Sequence, residues 1–168
     1  MIPMHRTAVA ALVAAALAGI AAPASAEDPM TVSVKRMSLD TAQKIAQATI
    51  DACREKGIQV AVTVLDRNGV VQAQLRDTVA PPITVPISYK KAFTAANFNA
   101  KTSTLVEELN TGLGRQDFLL MHPGGAPVAV GGALLGGVGV SGAPDGMIDE
   151  ECAEAGVAAV QDDLEMAM

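Results

Sequence analysis

The chain is predicted to fold as an α+β domain, a central antiparallel sheet with flanking helices. Three observations lead there. Two pairs of short apolar segments are each joined by a glycine turn, at Asn68 and Gly69 and at Gly131 and Gly132, which marks two hairpins and so antiparallel pairing. Helical periodicity precedes, separates and follows the hairpins. The regular strand–helix–strand alternation of a doubly wound nucleotide fold is missing.

The N-terminus carries His5 and Arg6, then runs uncharged and Ala-rich from Thr7 to Ala22, and reaches Ala24, Ser25, Ala26 after Pro23. A spanning helix needs about 20 predominantly apolar residues, and this run is shorter and ends at a proline followed by a small-residue cleavage pattern. The expectation is a signal peptide over 1–26, cleaved after Ala26, and a periplasmic or secreted product. The mature chain, 27–168, would hold 168 − 26 = 142 residues, the usual size of a single domain.

Cleavage removes one of the 12 basic residues and none of the 18 acidic ones, so the mature charge is 11 − 18 = −7. Nucleic acid is an improbable partner for so acidic a chain, because its phosphates ask for a basic face. The remaining apolar stretch, Ala126 to Val140, is too short and too rich in glycine to cross a bilayer, so no membrane attachment is expected after cleavage.

After a polar lead-in from Glu27 to Met37, Ala42, Ile45, Ala46, Ile50 and Cys53 form the apolar face of a first helix, capped by Ser38 and stopped at Gly57. Ile58 to Leu65 and Val70 to Arg76 alternate as strands, with Val60, Val62 and Val64 on one side. Between them Asn68 and Gly69 supply the positive φ of a tight turn. Pro81, Pro82 and Pro86 exclude both a central strand and a helix interior. A second helix follows, capped by Ser88 with Tyr89, Ala92, Phe93 and Ala96 on one face, and a short third starts at Thr102 or at Thr104, where Glu107 completes a capping box.

Pro127 to Val130 and Ala133 to Val140 read as the second hairpin. The last helix spans about Met147 to Leu164, with Asp145, Asp149, Glu150 and Glu151 near its positive N-terminal end and Ile148, Cys152, Ala155 and Ala159 facing inward. The two cysteines, Cys53 and Cys152, thus fall on inward helix faces. In an oxidising compartment they pair if those helices lie side by side; otherwise they pack as small apolar residues. Neither belongs to a metal-binding spacing.

Gly137, Val138, Gly139, Val140, Ser141 and Gly142 spell GxGxxG. The nucleotide fingerprint needs those glycines in a turn between strand and helix, whereas here they alternate with valine inside a strand, so no dinucleotide site is expected. Ser141 lacks the setting of a nucleophile elbow, and the mature chain has one histidine for any Ser–His–Asp constellation, so a serine hydrolase is not expected either.

That histidine, His122, lies in the loop Met121, His122, Pro123, Gly124, Gly125, and imidazole is a common axial ligand to haem iron. Met121 and Tyr89 are the other side chains able to ligate. Lys90, Lys91, Arg76 and Arg115 are candidates to meet propionates.

Five segments in order, SLDTAQKI, VAVTVLDRNGV, SYKKAFTAA, GGAPVAVGGALLGGVGVSG and DEECAEAGVAAV, resemble the blocks of the GlcG/HbpS-like haem-binding family over nearly the whole mature chain. The resemblance implies an α/β domain with a central antiparallel sheet, self-assembly into a homo-oligomer, and haem or a related tetrapyrrole as cofactor; some members are described as haem-degrading. The family's helix block maps onto Ser88, Lys91, Ala92, Thr94 and Ala95. Its glycine–proline block maps onto Gly124, Gly125 and Pro127, with GGAP here in place of the commoner GGVP.

The leading reading is an exported haem-binding protein, with His122 as iron ligand and Tyr89, Lys91, Thr94, Gly124 and Gly125 around the ligand. A second is an enzyme or enzyme accessory of the GlcG type taking a small carboxylate, with Lys91, Thr94 and the Gly124 and Gly125 amides as anion donors. A third is an oligomer-forming structural protein without ligand.

Overall fold

The structure, a computed structural model, describes residues 30–168; the expected signal peptide lies outside them. Residues 34–168 form one compact unit. Its order is α1 (Leu39–Glu55), β1 (Ala61–Asp66), β2 (Val71–Arg76), α2 (Thr84–Phe98), the 3-10 helix η1 (Thr102–Asn110), β3 (Gly125–Val130), β4 (Ala133–Ser141) and α3 (Gly146–Met166). The strands form one antiparallel sheet in the order β2-β1-β4-β3. The α+β class is thereby shown.

Helices α1 and α3 cover one face of the sheet and pack on each other, and α2 covers the other. Residue alternation decides which side chain meets which layer. Val62 and Val64 of β1 and Val138 and Val140 of β4 join Ile45, Ile50 and Val160 in the main core, while Thr63 of β1 turns to α2 and hydrogen-bonds Ser88 at 2.8 Å. On β4 the same side carries Gly137 and Gly139. A Cβ at Gly139 would stand 2.1 Å from the Ser88 carbonyl oxygen, and one at Gly137 would stand 2.6 Å from that of Ala92. The GxGxxG letters are therefore a bare stripe that lets α2 approach the sheet backbone.

Helix α1 starts as expected: the Ser38 hydroxyl accepts from the Thr41 N–H at 3.2 Å, and Gly57 ends it with φ 74°. Cys53 and Cys152, on the facing sides of α1 and α3, form a disulfide across a sequence separation of 99 with Cα atoms 5.5 Å apart.

Several details differ from expectation. Asn68 does not take positive φ; among the described residues Asn99 is the only non-glycine that does. The Gly69 N–H donates to Asp66 O, and Leu65 pairs with Val71 across a bulge, so this hairpin has a three-residue loop with glycine at its left-handed position. The Gly131 and Gly132 turn is the tight two-residue type, both φ being positive.

Pro86 lies inside α2, in its first turn, where backbone N–H groups have no intrahelical partner to lose. Ser88 is consequently a buried mid-helix residue, not a cap. Thr104 caps nothing either, because η1 starts at Thr102. On α3 the buried residues are Asp149, Glu150, Cys152, Ala153, Gly156 and Val160, so Ala155 and Ala159 face solvent instead of the core.

Candidate functional site

The N-terminal half of α2, the segment Leu120 to Gly125 and the turn from β4 into α3 meet around an open groove of about 440 Å³. Ile83, Ile87 and Leu120 form its apolar wall, His122 stands on it, and Lys91 and Asp149 line it from the interior. His122 is exposed, and its ring lies against Gly146, where a Cβ would come within 2.9 Å of imidazole Nδ1. Absence of a side chain at Gly146 leaves room for the ring in that position.

Lys91 and Asp149 form an ion pair, Nζ to Oδ2, at 2.8 Å, with both side chains 4% exposed. Asp149 Oδ1 also accepts from the Ala143 N–H at 3.0 Å. Gly124 accommodates this pair, since a Cβ there would stand 2.4 Å from Lys91 Nζ.

The adjacent Glu150 is 2% exposed. Its Oε2 accepts from the N–H groups of Ser103 at 3.0 Å and Gly124 at 3.2 Å and from the Thr102 hydroxyl at 3.3 Å, and its Oε1 from the Ser103 hydroxyl. The Thr102 hydroxyl oxygen in turn accepts from the Gly125 N–H at 2.8 Å. Beside this cluster the Lys101 ammonium is held above its ordinary pKa by its hydrogen bond to, and charge attraction for, Glu154.

The candidate residues divide accordingly. His122 and Lys91 share the groove. Tyr89 lies on another flank of α2, its ring stacked on Phe93 with centroids 5.9 Å apart, and it does not line the groove. The Thr94 hydroxyl donates to Lys90 O and accepts from the Leu120 N–H, both at 2.8 Å, so it holds the segment leading to His122. The Gly124 and Gly125 N–H groups are spent on Glu150 and Thr102, which leaves no anion nest there. Met121 is fully buried, and Arg76 donates to the carbonyls of Asp77, Thr78 and Ala80, so neither is presented to a ligand.

Sequence reasoning missed the burial of the carboxylates Asp149 and Glu150, which it placed only near the positive N-terminal end of the last helix. Their partners lie 58 and 47 residues away in the chain, so no local signal marks them.

The family described as "Haem degrading protein HbpS-like" matches residues 37–158. The chain belongs to this HbpS-like family. Escherichia coli GlcG is 36% identical over 108 residues, 59% of this chain and 79% of GlcG. Among solved structures, a double mutant of Streptomyces reticuli HbpS is 38% identical with a TM-score of 0.74, covering 83% of this chain and 97% of that one. Klebsiella pneumoniae ORFY is 25% identical with a TM-score of 0.73, covering 79% and 96%. The four-stranded antiparallel sheet with its helices is thus the architecture of the HbpS-like proteins.

Proposed function

We propose that this protein is an exported binder of haem or a related planar tetrapyrrole, which Ile83, Ile87 and Leu120 would hold along the groove and whose iron His122 would ligate. The observation that carries the reading is the exposed His122 imidazole at the edge of an aliphatic wall, in a chain of a family described as haem-degrading. The donor set fits the group: imidazole suits iron, and the aliphatic wall suits a macrocycle face. Bound haem would supply an iron centre, which the His122 imidazole would hold and tune. The chain's own part is to hold that imidazole against Gly146, shield one macrocycle face and keep the Lys91–Asp149 pair beneath the groove.

The small-carboxylate reading loses support, because the Gly124 and Gly125 amides, the Thr94 hydroxyl and the Lys91 ammonium all have partners within the chain. Export is supported by the leader-like residues 1–26 and by the Cys53–Cys152 disulfide, a bond that persists in oxidising compartments. Self-assembly fits the exposed apolar residues Val79 and Ile83 beside α2.

Titration of the purified protein with haemin tests the ligand: the reading expects a saturable, sharpened and shifted Soret band at one equivalent per chain. The broad spectrum of adsorbed haemin alone would overturn it. A thermal-shift screen with small carboxylates then decides between the two remaining readings.

A further inference from the structure

In the edge strand of a sheet, successive residues turn their backbone N–H and C=O groups alternately toward the neighbouring strand and away from it. The register settles which residues of β2 do which. The Asp77 N–H donates to Val60 O, and Ala61 stands opposite Arg76. Asp77 is therefore bonded toward β1, and with it, two residues at a time, Leu75 and Ala73. Gln74 and Arg76 turn their N–H and C=O groups outward, and among the described residues these groups have no partner. Gln72 is the extra residue of the bulge, since Val64 pairs with Ala73 and Leu65 with Val71.

The opposite edge of the sheet is closed to a further strand. The Val140 N–H donates to Gly124 O, so on β3 the outward positions are Gly125 and Pro127. Pro127 has no N–H, and the Gly125 N–H is taken by Thr102. β2 has neither proline nor lysine, the residues that ordinarily keep an edge from pairing. Its Arg76 guanidinium is folded back onto carbonyls of its own chain. From Asn68 to Leu75 the sequence carries no charge, in a chain of net charge −6, so two copies can approach here without the repulsion that their acidic surfaces impose. Val71 and Leu75 are 44% and 36% exposed, and Val79 just beyond the strand is 71% exposed. Leu75 lines a cleft of about 450 Å³ between β2 and α1, beside Gln43, Ala46 and Gln47.

We propose that two copies of this chain pair through β2, antiparallel about a two-fold axis at Leu75, into one continuous eight-stranded sheet. In that register Gln74 of each copy faces Arg76 of the other, and their outward groups exchange four main-chain hydrogen bonds. Leu75 meets its counterpart across the axis as a non-hydrogen-bonded pair, the kind in which side chains come closest. An axis at Gln74 would instead draw its outer bonds from the bulged Gln72. The contact is the same patch on both copies, and with the β3 edges closed the sheet stops growing at two. The proposal rests on the self-assembly reading above and names its surface. It is independent of the ligand reading, because no residue of β2 lines the His122 groove.

The two cysteines of the chain are bonded to each other, so Leu75→Cys adds a lone thiol whose counterpart lies across the axis. Mild oxidation is expected to give a covalent dimer about tenfold faster or more than in Val106→Cys, a comparably exposed position on η1. Leu75→Lys sets like charges opposite each other and is expected to weaken self-association about tenfold or more in sedimentation, with the haemin spectrum unchanged. In the unaltered protein the Gln74 and Arg76 amides are expected to exchange slowly with solvent, since only a second copy bonds them.

Crosslinking of Leu75→Cys no faster than that of Val106→Cys, or free exchange of the Gln74 and Arg76 amides in an assembled protein, would overturn the β2 pairing and leave self-assembly to another surface. An unaltered protein that stays monomeric at about 100 µM would overturn both. Should Leu75→Lys prove poorly folded, the exchange of these two amides in the unaltered protein decides instead, with protection expected and its absence overturning the pairing.

Discussion

Replacing Lys91 by Met leaves Asp149 as an uncompensated carboxylate, 4% exposed, with the Ala143 N–H as its remaining donor. At 2.8 Å and an effective dielectric constant of about 20 the lost attraction is about 6 kcal/mol, and it had offset the desolvation of both ions. Part of the loss is recovered by protonation of the stranded acid, so Lys91→Met is expected to destabilise by about 3 to 5 kcal/mol at neutral pH. Joint replacement by Lys91→Met and Asp149→Leu removes both ions, and the cost should fall below about 2 kcal/mol. Urea unfolding of the four proteins, with slopes compared to confirm two-state behaviour, gives the coupling energy. The reasoning fails if Lys91→Met costs less than about 1 kcal/mol, or if the double variant is as unstable as the sum of the singles.

Three further outcomes follow from the same packing. Removal of the disulfide by Cys53→Ala with Cys152→Ala frees a loop of 99 residues and should cost about 2 to 5 kcal/mol in urea unfolding, with an unaltered slope arguing against a more expanded unfolded state. Gly156→Ala places a Cβ 1.8 Å from the Thr49 hydroxyl oxygen at the α1–α3 contact. It should destabilise by about 2 kcal/mol or more, with partial recovery when Thr49→Ala is added, as thermal melts of the pair would show. Mass spectrometry of the exported protein should find Glu27 at its N-terminus, and an intact Met1 there would contradict export by cleavage after Ala26.

Much of the fold was legible where a local rule and the packing agree. Ser38 and Gly57 bracket α1 because capping and left-handed φ are properties of a few consecutive residues. The valine and glycine alternation of β4 revealed its two faces for the same reason. Legibility failed where packing contrast is absent: α3 is so rich in alanine that its buried side could not be told from its solvent side, and it meets α1 at Gly156, where an added Cβ would strike the Thr49 hydroxyl and which carries no apolar signal at all. Pro86 misled because its position within the first turn, and not its presence, decides whether a helix tolerates it.

The site was legible in part. His122 could be singled out as a lone imidazole in a glycine–proline loop, and Lys91 from the family resemblance. The roles of Gly124 and Gly125 could not be read, because whether a backbone N–H is free or taken depends on Glu150 and Thr102, which arrive from distant segments. Tyr89 carries the right chemistry for an iron ligand, yet helical geometry turns it to a different flank of α2 from His122.

The most direct test of the account is the haemin spectrum of His122→Ala beside that of the unaltered protein. His122 is exposed and makes no side-chain hydrogen bond among the described residues, so its removal should leave folding intact, as circular dichroism would verify. The account predicts loss of the shifted Soret band and affinity weakened about tenfold or more. An identical band and affinity in His122→Ala would contradict it and move the iron ligand elsewhere in the chain.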